Sequence, residues 1–156
     1  MIVDCDKLLM NLERIVSKAG DREASLSVVA DLLKDSGGYR WVGLYDVDRV
    51  GGVVRNIVWS GPGAPEYPTF PITKGLTGSA ITERRTINIG DVAGDPRYLT
   101  AFGSTKSEII VPVFDAARDH VIGTIDVESE TANAFDRDVQ TFLENCSGII
   151  RPLWTR

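Results

Sequence analysis

SEIIVPVF, Ser107 to Phe114, and VIGTIDVES, Val121 to Ser129, are two runs of strand-forming residues on either side of a polar connection, Asp115 to His120. Two such runs across a short turn read as an antiparallel hairpin. Upstream of them, the seventeen residues Gly90–Lys106 have no periodicity. A connection that long suits a binding loop or lid. Before it come a strand, Thr86–Ile89, and a short helix, GLTGSAITE, Gly75–Glu83.

Further toward the N-terminus, YRWVGLYD (Tyr39–Asp46) and VVRNIVWS (Val53–Ser60) flank Gly51-Gly52 and make a second hairpin. GPGAPEYP (Gly61–Pro68) is a loop, and Thr69–Ile72 is a short third strand. Both ends are helical. Leu8, Leu9, Leu12, Ile15 and Val16 share one face, and Leu26, Val29, Leu32 and Leu33 share another up to Gly37-Gly38. Asp136 is placed to cap a last helix. Its apolar stripe is Val139, Phe142, Leu143, Cys146, Ile149, Ile150 and Leu153. The order predicts an α+β fold over residues 1–156 as a single domain. It has one antiparallel sheet of about six strands, with terminal helices on one face and a ligand pocket under loops and the short helix on the other.

The chain has 156 residues and a net charge of −5. A nucleic-acid partner calls for surplus Lys and Arg, so this balance argues against one. No apolar run reaches the roughly 18 residues of a membrane span, and Asp4 and Asp6 stand where a signal peptide carries basic residues. A cytoplasmic address is expected. Cys5 and Cys146 lie in the terminal helices, in no metal-ligand spacing. They read as buried small hydrophobes, or as a redox pair if those helices pack together. His120, the only histidine, sits in a turn with no second His or ligand spacing, so no metal is expected; no cofactor is expected either.

Trp41 and Tyr45 are four apart and face one side of a strand, with Trp59 on the next. They are core residues or the walls of a pocket that stacks a planar or cationic ligand. Tyr67, Phe70, Tyr98 and Phe102 flank or sit in the irregular segments and are further pocket candidates. Gly75 and Gly78 bracket the start of the short helix, whose free N–H groups suit an anion, with Lys74, Arg97 and Lys106 nearby.

Several segments together resemble the GAF domain family, a PAS-like fold: RWVGLY (Arg40–Tyr45), KGLTG (Lys74–Gly78), DPRYL (Asp95–Leu99), SEIIVPV (Ser107–Val113) and IGTIDVES (Ile122–Ser129). The stand-alone length and WVGLY look most like the free methionine-(R)-sulfoxide reductases. That branch implies catalytic cysteines where this chain has Tyr67, Thr77 and a residue near Ala101. Without them, thiolate chemistry has no nucleophile at those positions. The branch also implies acids holding an ammonium, here Glu108, Asp126 and Glu128. Asp126 and Glu128 are two apart and share a strand face.

The expectation is therefore a non-catalytic, small-molecule-binding sensor. Its ligand is an amino acid or amine at the acids, or a small anion at the helix. Its partners are a sensor kinase or regulator and a second copy of itself through the terminal helices. The alternatives are a reductase with displaced cysteines and a structural dimer module with a vestigial pocket.

Overall fold

In the computed structural model, which describes residues 4–99 and 103–154, the chain opens with α1 (Cys5–Lys18) and α2 (Arg22–Gly37). It continues through β1 (Trp41–Asp48), β2 (Val53–Ser60), β3 (Thr69–Pro71), α3 (Gly75–Glu83) and β4 (Ile87–Ile89). It closes with β5 (Ser107–Phe114), β6 (Val121–Ser129) and α4 (Arg137–Ile150). The strands form one six-stranded antiparallel sheet in the order β3-β2-β1-β6-β5-β4. The expected element order and layering are thus those of the structure.

Local chemistry sets the boundaries. Asp4, Asp21 and Asp136 each accept a backbone N–H in the first turn of their helix, at 3.1, 3.1 and 2.9 Å. Each such cap is worth about 1 kcal/mol. Gly38 closes α2 at φ 63°, a left-handed turn that glycine adopts without strain. β1 starts at Trp41 rather than Tyr39, because the Tyr39 N–H bonds back to the Lys34 carbonyl (3.0 Å). Its ring packs on Phe135, with centroids 5.2 Å apart. The last helix ends at Ile150, and a 3-10 turn, Arg151–Trp154, carries Leu153. Pro152 has no N–H with which to continue the α ladder.

Strand alternation divides the apolar residues between two faces. On one, Leu8 and Leu12 of α1, Leu26, Val29 and Leu33 of α2, and Phe142, Leu143, Cys146 and Ile150 of α4 are buried against Val42, Leu44, Ile109, Val111, Ile125 and Val127. Burying each large aliphatic side chain stabilises by roughly 1.5–3 kcal/mol. α1 packs on α4, burying Leu8, Leu12, Phe142, Leu143, Cys146 and Ile150 of their two stripes and leaving Leu9, Ile15, Val16, Val139 and Ile149 partly buried. Met10 (61% exposed) and Val28 (49%) are what those first two helices leave open.

The other face holds Trp41, Tyr45, Val54 and Phe70 in one cluster, and Leu76, Ala80, Ile87 and Ile110 in another. The link from β3 to β4 runs from one sheet edge to the opposite one, and this crossing lays α3 over β5 and β6. Gly78 makes the crossing tight, since a Cβ there would lie 2.6 Å from the Thr73 carbonyl carbon. Among the described residues, no helix is long and apolar enough to cross a membrane.

Candidate functional site

Sheet register builds the site. Glu108 on β5 pairs directly with Glu128 on β6, and Asp126, two residues before Glu128, shares its face. β1 lies on the other side of β6, with Trp41 opposite Glu128, Gly43 opposite Asp126 and Tyr45 opposite Thr124. Three carboxyls thus sit side by side, walled by two large rings. Gly43 is what allows this, because a Cβ there would lie 2.2 Å from the Trp41 ring and 2.8 Å from the Tyr45 ring. The Tyr45 ring also meets Phe70 edge-on, with centroids 5.8 Å apart.

Two connections complete the enclosure. The Trp41 indole N–H donates to the Gly63 carbonyl at 3.0 Å, which holds the Gly61–Pro68 loop over the site. The Thr105 hydroxyl donates to Glu128 Oε1 at 2.8 Å, and the Tyr98 hydroxyl reaches the same oxygen at 3.3 Å. Glu128 therefore ties both described arms of the 90–106 segment to the sheet. Thr77, in the first turn of α3, donates to Asp126 Oδ2 at 3.1 Å. Asp126 Oδ1 is buried and has no hydrogen-bond partner among the described residues. Neither Glu108 nor Asp126 has an ion pair among the described residues.

The electrostatics follow from burial. Desolvation drives Glu108 well above the usual carboxylate range, and the charges of Glu128 and Asp126 add to it. Burial pushes Asp126 up to about 7, against the pull of the Thr124 and Thr77 hydroxyls. Burial also raises Glu128, while Thr105, Tyr98 and the nearby Arg40 pull it back. The Tyr45 phenol is raised by burial and then by the three acids. At neutral pH the cluster therefore holds protons that a bound cation would displace.

Tyr67, Phe70 and Thr77 line the cavity with Trp41, Tyr45 and the three acids. Tyr98 reaches it through Glu128. Phe102 and Ala101 lie outside the described residues. Trp59, proposed as a pocket wall, does not line the cavity. It is 39% exposed, because opposite it the space left by Gly43 is filled by the Trp41 and Tyr45 rings. At the start of α3, the Thr77 hydroxyl is committed to the Asp126 carboxyl. Arg97 is paired with Asp95 at 2.7 Å. Among the described residues no His, Cys, Asp and Glu group is disposed as a metal site. Pro65, Leu76 and Leu99 also line the cavity and were not foreseen. Leu99, an apolar residue next to Tyr98 in a polar loop, was the one with a readable signal. The cavity is small, about 40 Å³.

The cysteines lie elsewhere. Cys146 is fully buried in the helix-side core, with Cys5 packed against the same cluster. Burial, with a contribution from Cys5, pushes the Cys146 thiol up to about 12.

The chain belongs to the GAF domain family, a family of ligand-binding domains, whose model matches residues 21–150. It is 28% identical over 138 residues to GAF domain-containing protein A of Dictyostelium discoideum, covering 88% of this chain and 84% of that protein. It is 32% identical over 77 residues, 49% of this chain and 42% of the other, to the free methionine-R-sulfoxide reductase of Saccharomyces cerevisiae. Its structure resembles the free methionine-R-sulfoxide reductase of Neisseria meningitidis, solved in complex with its substrate. The TM-score is 0.87 at 29% identity, covering 97% of this chain and 88% of the other.

Proposed function

We propose that this protein binds a small ligand carrying an ammonium group, of the free amino acid class, and does so without turning it over. The observation that carries the reading is the trio Glu108, Asp126 and Glu128, buried together beneath the Trp41 and Tyr45 rings. Assembling three carboxyls in a dry site is costly unless something cationic rewards it. Aromatic faces favour the same kind of ligand. The similarity to a reductase solved in complex with its substrate supports a small-molecule ligand for this chain.

Binding rather than catalysis is favoured by where the sulfur is. The thiolate is the reactive form, and Cys146 is held protonated on the far face of the sheet. Thr77 stands in the cavity instead. A cavity of about 40 Å³ is well below the roughly 300 Å³ of ordinary ligand pockets, so binding requires Tyr98 and Leu99 to draw back from it. The ligand then competes with Tyr98 and Thr105 for Glu128, and the strain is felt by the two described arms that carry them. That is a route by which occupancy is signalled to a regulator or to a second copy of the chain.

The small cavity also favours a second reading, a dimer module whose pocket is vestigial. Thermal shift with amino acids, methionine sulfoxides and polyamines separates the two. A ligand at 100 times its dissociation constant stabilises by about 2.7 kcal/mol, or roughly 5–11 °C for a chain of this size. A selective shift that disappears in Glu108→Gln supports the binding module. A flat panel supports the vestigial one. Thioredoxin-coupled reduction of a sulfoxide by the wild type would overturn the non-catalytic reading.

A further inference from the structure

A second cavity, larger than the acid pocket, shares no residue with it. It encloses about 450 Å³ between the C-terminal half of α4, the open end of β5 and the turn from α3 to β4. That volume is within the range of small-molecule sites. β4 covers β5 only from Glu108 to Ile110, so Val111–Phe114 form an uncovered strand edge. Gly148 widens the cavity on α4, with open space where its side chain would be.

Four arginines line it: Arg84, Arg85, Arg118 and Arg151. The lining acids are Asp115 and Glu144, and both are engaged. Asp115 Oδ1 accepts the Asp119 N–H at 2.9 Å, and Glu144 Oε2 accepts the Thr86 hydroxyl at 2.8 Å. Arg85 pairs with Glu83 at 2.6 Å. Among the described residues Arg84, Arg118 and Arg151 form no ion pair with a carboxylate. They are nonetheless arranged. The Arg118 guanidinium lies over the Phe114 ring, 4.5 Å from its centroid, and Arg84 donates to the Arg118 carbonyl. Arg84 and Arg118 both occupy left-handed backbone, at φ 56° and 59°, where glycine or asparagine is favoured. Backbone preference therefore does not explain why arginine stands at either turn.

We infer that this cavity is a second ligand site, for a small molecule bearing two or more negative charges on oxygen. Guanidinium groups recognise phosphate and carboxylate oxygens through paired N–H donors, and three of them line this cavity without an ion pair among the described residues. In a chain of net charge −5 this is a local reversal of sign. An added peptide strand fits less well. Pro112 has no N–H, and its carbonyl already accepts the Ser147 hydroxyl at 2.7 Å, so the open edge lacks the hydrogen-bond ladder a strand needs.

The test is calorimetric titration of the purified chain with pyrophosphate and, separately, with citrate, at constant ionic strength so that general screening does not change. The expected result is saturable one-site binding of at least one probe, with a dissociation constant of about 1 mM or below. Pyrophosphate alone assigns a phosphoryl-bearing ligand, citrate alone a polycarboxylate, and both the shared oxyanion chemistry. Arg118→Gln with Arg151→Gln weakens binding by about tenfold or more, whereas Glu144→Gln, which removes a negative charge from the wall, tightens it. Glu108→Gln in the acid pocket leaves it unchanged. No saturable binding, or binding equally strong in the double arginine variant, overturns the proposal. Loss of binding in Glu108→Gln moves the anion to the other cavity and overturns it as well.

Discussion

Glu108 and Glu128 face each other as direct partners across β5 and β6, both buried. Like charges in that position oppose strand pairing, and here burial adds to the repulsion. The sheet tolerates the pair because it is not fully charged: Glu108 is held well above the usual carboxylate range, and Asp126 beside it titrates at about 7.

Stability should therefore fall as pH rises from about 4 to about 7. Asp126 ionises near 3.8 when unfolded and at about 7 when folded, so the folded chain holds more protons in that window. Each pH unit between the two values corresponds to 1.36 kcal/mol, a ceiling of about 4 kcal/mol for this group. Urea denaturation at pH 5, 6, 7 and 8 should give a declining ΔG. Asp126→Asn should flatten the decline and be more stable than wild type at pH 8. A wild-type ΔG that rises across the window would contradict the account of the cluster.

Ligand binding should release protons. An ammonium group favours the ionised carboxyls, so their titration moves down on binding. Calorimetry near pH 7 in two buffers of different ionisation enthalpy should give different apparent heats, with a net proton release of the order of one. Identical heats would mean that the ligand does not meet the acids.

Gly43→Ala should destabilise by about 1–3 kcal/mol. The added methyl would lie 2.2 Å from the Trp41 ring and 2.8 Å from the Tyr45 ring, and both rings are packed. Thermal melts measure it, and an unchanged melting temperature would show that the two rings have room to move.

Cys146 should resist thiol reagents in the native state and react only as the chain unfolds. Its thiol is buried and pushed up to about 12, so almost none is thiolate at neutral pH. Labelling with a disulfide reagent across a urea series should track the unfolding transition. Prompt labelling in buffer would reopen a redox role for the two cysteines.

Much of this was legible in the sequence. The two hairpins, the capped helices and the Gly-Gly stop of α2 are short-range features, and each appears within two residues of where its residues predict. The acids were legible because a spacing of two on one strand fixes a shared face. That Glu108 joins them depends on the register between β5 and β6, which no local pattern encodes. The place of Trp59 outside the cavity was hidden for the same kind of reason. Alternation gives it the face of Trp41, but only the packed structure reveals that rings meeting over Gly43 leave it outside. The arginine cavity was invisible, since Arg84, Arg118 and Arg151 come from three separate elements.

Trp154 crosses from the helix side to meet β1. Its indole N–H donates to the Tyr45 carbonyl at 3.0 Å, and its ring occupies the space where a Cβ on Gly123 would lie 2.0 Å from it. The side chain of Tyr45 lines the acid pocket while its backbone is held from behind. The chain's three tryptophans thus report on three places at once: Trp41 on the pocket wall, Trp59 near solvent, and Trp154 on the back of β1. Intrinsic fluorescence of single-tryptophan variants would register ligand arrival, surface quenching and strand displacement as separate optical signals from one unlabelled protein.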